Sequence, residues 1–134
     1  MQLSAADIRQ KLDLLVVGMT GLRHEGRFNE PNLDGTAGDY ISFDSWEWPQ
    51  GVGIYGLIRL WQFTGRDDLK VLVENWYASR IEAGLPALNV NTTAPMLGLS
   101  VLWKDTRDPR WQPILDTWAD RVLGEMGRTN EGAF

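Results

Sequence analysis

The chain has no cysteine and a single histidine among its 134 residues. Disulfides, thiolate metal sites and cysteine nucleophiles are excluded together, and His24 alone cannot furnish a metal-ligand cluster. The composition therefore gives no reason to expect a metal or another cofactor. Positive charge is also in short supply, with thirteen Lys and Arg against eighteen Asp and Glu and a formal net charge of −5. That sign opposes a phosphate backbone, so no nucleic-acid partner is expected. No apolar run approaches the roughly 20 residues needed to cross a bilayer, which argues against a membrane partner. Residues 1–20 carry Asp7 and Asp13 among their apolar positions and lack a basic start and a small-residue cleavage site. No signal peptide is read there, and a cytoplasmic location is expected.

What the chain does have is apolar and aromatic: 43% hydrophobic residues, including seven Trp. A chain of this length can bury roughly two-thirds of the surface it exposes when unfolded, so residues 1–134 are expected to form one domain with a real core. The chain also repeats itself internally. Residues 56–81 and 98–123 match without a gap, 42 positions apart. Gly56, Leu57, Leu60, Trp61, Thr64 and Trp76 recur as Gly98, Leu99, Leu102, Trp103, Thr106 and Trp118.

Each repeat reads as two helices of different character. From Val52 to Phe63 only Arg59 is charged, and from Met96 to Trp103 nothing is, so these inner helices are expected to be buried on every side. The second helices are amphipathic, with Leu69, Leu72, Val73 and Trp76 in one copy and Trp111, Ile114, Leu115 and Trp118 in the other at i, i+3, i+4, i+7 spacing. Their tryptophans, with Trp61 and Trp103, read as packing residues. The connectors Thr64–Asp67 and Thr106–Pro109 are tight, the latter with Asp108 as an expected N-cap and Pro109 at the first helical position. An earlier helix near 5–20 places Ile8, Leu12, Leu15, Val16 and Met19 on one face, and a Gly-, Asn- and Asp-rich loop follows over 21–47. The pattern predicts an all-α protein with about five helices, over 5–20, 48–64, 67–83, 93–105 and 108–126. Their order is outer, inner, outer, inner, outer. An α/α toroid and an open helical solenoid both fit this alternation; fully apolar inner helices favour the toroid.

Three loop segments, WEWPQGVGIYGL (Trp46–Leu57), GLPALNVNTTAPML (Gly84–Leu97) and GRTNEGAF (Gly127–Phe134), resemble the unsaturated rhamnogalacturonyl hydrolases of glycoside hydrolase family 105, with the unsaturated glucuronyl hydrolases of family 88 as relatives. The resemblance covers about residues 40–134 and implies the N-terminal part of a six-hairpin α/α toroid. It further implies hydrolysis of an oligosaccharide whose terminal uronic acid carries a C4–C5 double bond, as in pectin breakdown. In that family an Asp assists hydration of the double bond, and the resulting hemiketal opens to release the aglycone. On the family pattern that Asp lies in a Trp-x-Asp segment beyond Phe134, so the chain alone is expected to be inactive. Asn91 falls where some members carry an assisting Asp. The expected partners are an oligosaccharide and either a second copy of the chain or a missing C-terminal half. A non-catalytic carbohydrate-binding or helical interaction module is the alternative.

The loops offer the chemistry of a sugar subsite. Pro49 and Pro95 read as first-turn residues of the two inner helices, whose N-terminal ends, with free N–H groups and partial positive charge, suit a carboxylate. Trp46 and Trp48 offer flat faces to sugar C–H groups, and Gln50, Asn89, Asn91 and Thr92 offer hydrogen bonds to hydroxyls. Thr92 and Thr93 read equally well as helix caps. Asp44 and Glu47 are the carboxylates of the Trp46 loop, on which any two-carboxylate centre would have to draw. His24 reads as a solvated loop residue.

Overall fold

Ser4 and Asp7 begin the first helix by satisfying each other's backbone: the Asp7 N–H donates to Ser4 Oγ at 3.1 Å and the Ser4 N–H to Asp7 Oδ2 at 3.0 Å. Helix α1 then runs Ala5–Thr20 in a computed structural model that describes residues 3–26, 31, 35 and 37–133. It buries no residue fully; Leu12, Val16 and Met19 are half-buried, while Ile8 and Leu15, on one flank of the expected stripe, stay exposed. The following loop is tied at its base by Phe43 N–H to Leu22 O at 3.1 Å and by His24 N–H to Ser42 Oγ at 2.8 Å. His24 is thus half-buried rather than solvated. Residues 27–30, 32–34 and 36 of the loop lie outside the described residues. No β-strand occurs among the described residues, only an isolated antiparallel bridge between Pro31 and Ala37.

The chain divides into two units, Met1–Ser45 and Trp46–Phe134. In the second, α2 (Trp48–Thr64) and α4 (Val90–Thr106) are the inner helices, and α3 (Asp67–Ala83) and α5 (Gln112–Glu125) the outer ones. The strongest packing is between α2 and α4; α3 lies against α2, and α5 against α4. Ile54, Leu57 and Ile58 of α2, Leu69, Val73, Trp76 and Tyr77 of α3, and Met96, Leu99 and Leu102 of α4 form the core, with Trp111 and Trp118 buried at the α5 end. Trp61 and Trp103 are half-buried. The repeat is visible in the helix ends: Gly65 (φ 67°) and Arg107 (φ 54°), 42 positions apart, both close their inner helix in the left-handed conformation. Their N–H groups bond Trp61 O at 2.7 Å and Trp103 O at 2.8 Å.

Three further expectations are corrected. The inner helices are not buried on every side. Val52, Gly56, Arg59 and Phe63 form an exposed stripe along α2, with Phe63 79% exposed, and Val90 and Leu97 are exposed on α4. The main contacts of α2 within this unit come from α3 and α4, which leaves that stripe open. Pro95 is not in the first turn of α4. The helix starts at Val90, so Pro95 lies inside it and withholds the N–H that would bond the carbonyl of Asn91. Asp108 does not cap α5. Its carboxylate instead takes the Arg110 N–H at 3.0 Å and the Arg110 guanidinium at 2.9 Å, and α5 begins at Gln112 with Pro113 in its first turn.

Candidate functional site

Two contacts bring the starts of the inner helices together. Gly51 on α2 has no side chain, and a Cβ there would sit 2.8 Å from Pro95 N and 2.9 Å from Ala94 C, so the two backbones meet where only glycine fits. One turn earlier, the Trp46 indole N–H donates to Thr92 O at 2.7 Å. The segments Trp46–Gly51 and Asn89–Pro95 therefore share one end of the helix pair.

All six sugar-binding candidates lie on these two segments, but they are not equally available. Trp46 is buried, its ring stacked on Trp76 at 5.4 Å with 15° between planes and set edge-on to Tyr77 at 5.9 Å. It ties α3 and α4 to the start of α2 and presents no free platform. Trp48, by contrast, is 50% exposed. Gln50 is buried. Asn89 and Thr92 form a capping box: the Thr92 N–H donates to Asn89 Oδ1 at 3.0 Å and the Asn89 N–H to Thr92 Oγ1 at 2.9 Å. The Thr92 hydroxyl also donates to Ala87 O at 2.8 Å, so its hydrogen-bonding capacity is consumed inside the fold. Thr93 similarly bonds Asn89 O at 2.8 Å and receives the Trp118 indole N–H at 3.2 Å. Asn91 is half-buried and faces no such demand from the cap. Trp48 and Asn91 are thus the candidates best placed to meet a ligand.

The two loop carboxylates have different environments. Asp44 is exposed and 3.8 Å from the Arg23 guanidinium. Glu47 is buried at the N-cap of α2, makes no capping hydrogen bond, and its Oε2 has no hydrogen-bond partner among the described residues. Burial pushes the Glu47 carboxyl above its ordinary range, with the Trp48 backbone N–H pulling the other way. The sequence does carry a signal for this residue: a carboxylate between two tryptophans at the head of an otherwise apolar helix. Among the described residues no group of three or more His, Asp or Glu side chains could hold a metal, and no helix is long and apolar enough to cross a membrane.

The fold of the chain matches solved structures closely. A possible member of the GH105 family from Salmonella enterica serovar Paratyphi A is similar over 98% of this chain, at 32% identity and a TM-score of 0.91. One from Klebsiella pneumoniae is similar over 98%, at 29% identity and a TM-score of 0.89. The chain covers 35% of each. The architecture is therefore that of the N-terminal part of an α/α-toroid glycoside hydrolase. The family model of Glycosyl Hydrolase Family 88 matches residues 24–134, and the chain belongs to that family. Among curated relatives, the unsaturated rhamnogalacturonyl hydrolase YesR of Bacillus subtilis is 31% identical over 88 residues, which is 66% of this chain and 26% of that protein. The chain thus spans about a quarter to a third of these relatives.

Proposed function

We propose that this chain supplies the sugar-binding N-terminal part of a hydrolase acting on unsaturated uronyl oligosaccharides of the rhamnogalacturonan type. The observation that carries the reading is the meeting of Trp46–Gly51 with Asn89–Pro95, which sets an exposed tryptophan and an available amide at one end of the inner helices. The likeness to YesR, named an unsaturated rhamnogalacturonyl hydrolase, supports the substrate class. In this reading Trp48 takes the apolar face of a sugar ring and Asn91 positions the hydroxyls, with the Asn89–Thr92 cap holding the start of α4 behind it. Trp46 holds the two helix starts in register. An Asp beyond residue 134 protonates the C4–C5 double bond and activates the water that adds across it. The hemiketal so formed opens and frees the aglycone.

General acid–base assistance is worth about 10²–10⁴ in rate, so a chain without that Asp should show no measurable turnover. The test is incubation of the purified chain with an unsaturated rhamnogalacturonan disaccharide while the ultraviolet absorbance of its double bond is followed. A flat trace is expected. Loss of absorbance that Glu47→Gln or Asp44→Asn abolishes would place the chemistry within these residues and overturn the proposal. A non-catalytic carbohydrate-binding module is the second reading, favoured by the core that α2–α5 already share. The substrate in either case is a carbohydrate, and the chemistry needs no cofactor.

A further inference from the structure

Glu47 keeps one carboxylate oxygen out of the fold's hydrogen bonding, although the Trp48 backbone N–H acts on the carboxyl. It is 7% exposed, yet it makes no capping hydrogen bond to the first turn of α2, and Oε2 is left without a partner among the described residues. A buried oxygen in that state costs the fold its desolvation, with no hydrogen bond to Oε2 itself in return, and a group held at a cost at the end of the helix pair that carries Trp48 is a candidate for work on a ligand. Its surroundings suit that role. Trp48, the adjoining residue, is the half-exposed aromatic of the site, and the half-buried Asn91 belongs to the same end of the helix pair through the Trp46–Thr92 and Gly51–Pro95 contacts.

We infer that Glu47 is a sugar ligand: Oε2 exchanges a hydrogen bond with a ring hydroxyl of the pyranose that lies on Trp48. The inference rests on the proposed reading of this end as a sugar site. A pyranose stacked on an indole carries its hydroxyls around the rim of the ring, and the rotatable bonds of the Glu47 side chain let the carboxyl swing out from its buried position to meet them. The oxygen accepts from the hydroxyl when ionised and donates when protonated. Burial, which favours the protonated form, extends the donor role to higher pH than an ordinary carboxyl would allow.

The test is calorimetric titration of the whole chain with an unsaturated rhamnogalacturonan disaccharide, beside thermal unfolding, for the wild type, Glu47→Met and Glu47→Gln. Met keeps the length of the side chain and removes both oxygens; Gln keeps a hydrogen-bonding head. The expected result is affinity weakened about tenfold in Glu47→Met, largely retained in Glu47→Gln, and a thermal midpoint in Glu47→Met equal to or above wild type, because a buried unpartnered carboxyl has been removed. A Glu47→Met protein that binds like wild type would overturn the inference while leaving the site intact. So would a fall in its thermal midpoint, which would assign Glu47 a structural role. Absence of binding by the wild type would instead sink the sugar-site reading and this inference with it.

Discussion

Trp76 and Trp118 hold corresponding positions, and both are buried, but their neighbours differ. Trp76 stacks on Trp46 and meets Tyr77 edge-on at 5.1 Å; Trp118 donates its indole N–H to Thr93 Oγ1. Either Trp→Ala change should cost about 3–5 kcal/mol in denaturant titration through lost burial and an uncollapsed cavity. Trp76→Ala should be the worse by about 0.5–1.5 kcal/mol, the worth of an aromatic pair beyond its area. A loss under about 1 kcal/mol at either site would mean the ring is not packed as described. Glu47 gives a pH prediction. Its carboxyl is raised in the folded state, so between the unfolded and folded pKa values the folded chain binds more protons, and stability falls as pH rises through that window. Wild type should therefore lose thermal stability relative to Glu47→Gln as pH is raised through and just above the carboxylate range. A gap that stays constant or narrows with rising pH would contradict this. Sequence supplied candidates for the site, but not their duties in the fold. Trp46 and Trp48 have the same chemistry two positions apart, and only the fold shows that one is buried against Trp76 and the other half in solvent. Thr92 could be read from sequence as ligand or cap, and its box with Asn89, which sequence read only as a ligand, makes both residues a cap.

At the scale of the element, the repeat places Gly56 and Gly98 at the same register of the two inner helices for different physical reasons. A Cβ on Gly98 would lie 2.4 Å from the Tyr77 hydroxyl oxygen, which donates to Pro95 O at 2.8 Å. Gly56 has nothing within 4 Å and is exposed. Gly98→Ala should thus destabilise by about 1–3 kcal/mol through overpacking, whereas Gly56→Ala should stabilise by roughly 0.5–1 kcal/mol as a glycine relieved from a helix interior. Equal effects in urea titration would show that the two positions share one environment. The bounds of α2 and α3, and the span of α1, were legible in the apolar spacing and the short Thr64–Asp67 connector. The starts of α4 and α5 were not. An Asn-x-x-Thr box opens α4 at Val90, ahead of the proline that looked like its first turn, and the Asp108-Pro109 pair that mimics a helix start is spent on an Arg110 salt bridge of 2.5 Å.

For the molecule, the open stripe Val52, Gly56 and Phe63 on α2 and the exposed Val90 and Leu97 on α4 are apolar faces of inner helices, in a chain that spans 35% of its solved relatives. Covering about 600 Å² of such surface would bring on the order of 15 kcal/mol before association costs, so these faces should find cover in a second copy or in the remainder of a toroid. Sedimentation of the chain at tens of micromolar should show self-association; a clean monomer that also fails to bind a hydrophobic dye would favour the self-contained module. The alternation of apolar and amphipathic helices was enough to recover the helix pairs, and the resemblance of the loop segments chose the toroid over a solenoid, while the open stripe was hidden because Val52 and Phe63 look like core residues until their neighbours are known. The central claim, that the joined starts of α2 and α4 bind an unsaturated uronyl sugar, is tested most directly by titrating an unsaturated rhamnogalacturonan disaccharide into the wild type and Trp48→Ala. Saturable binding by the wild type is expected, weakened roughly fivefold or more in Trp48→Ala with the thermal midpoint unchanged, because a half-exposed ring is free for ligand contact and contributes little core packing. Equal affinity in the two proteins, or no binding by the wild type at millimolar sugar, would contradict it.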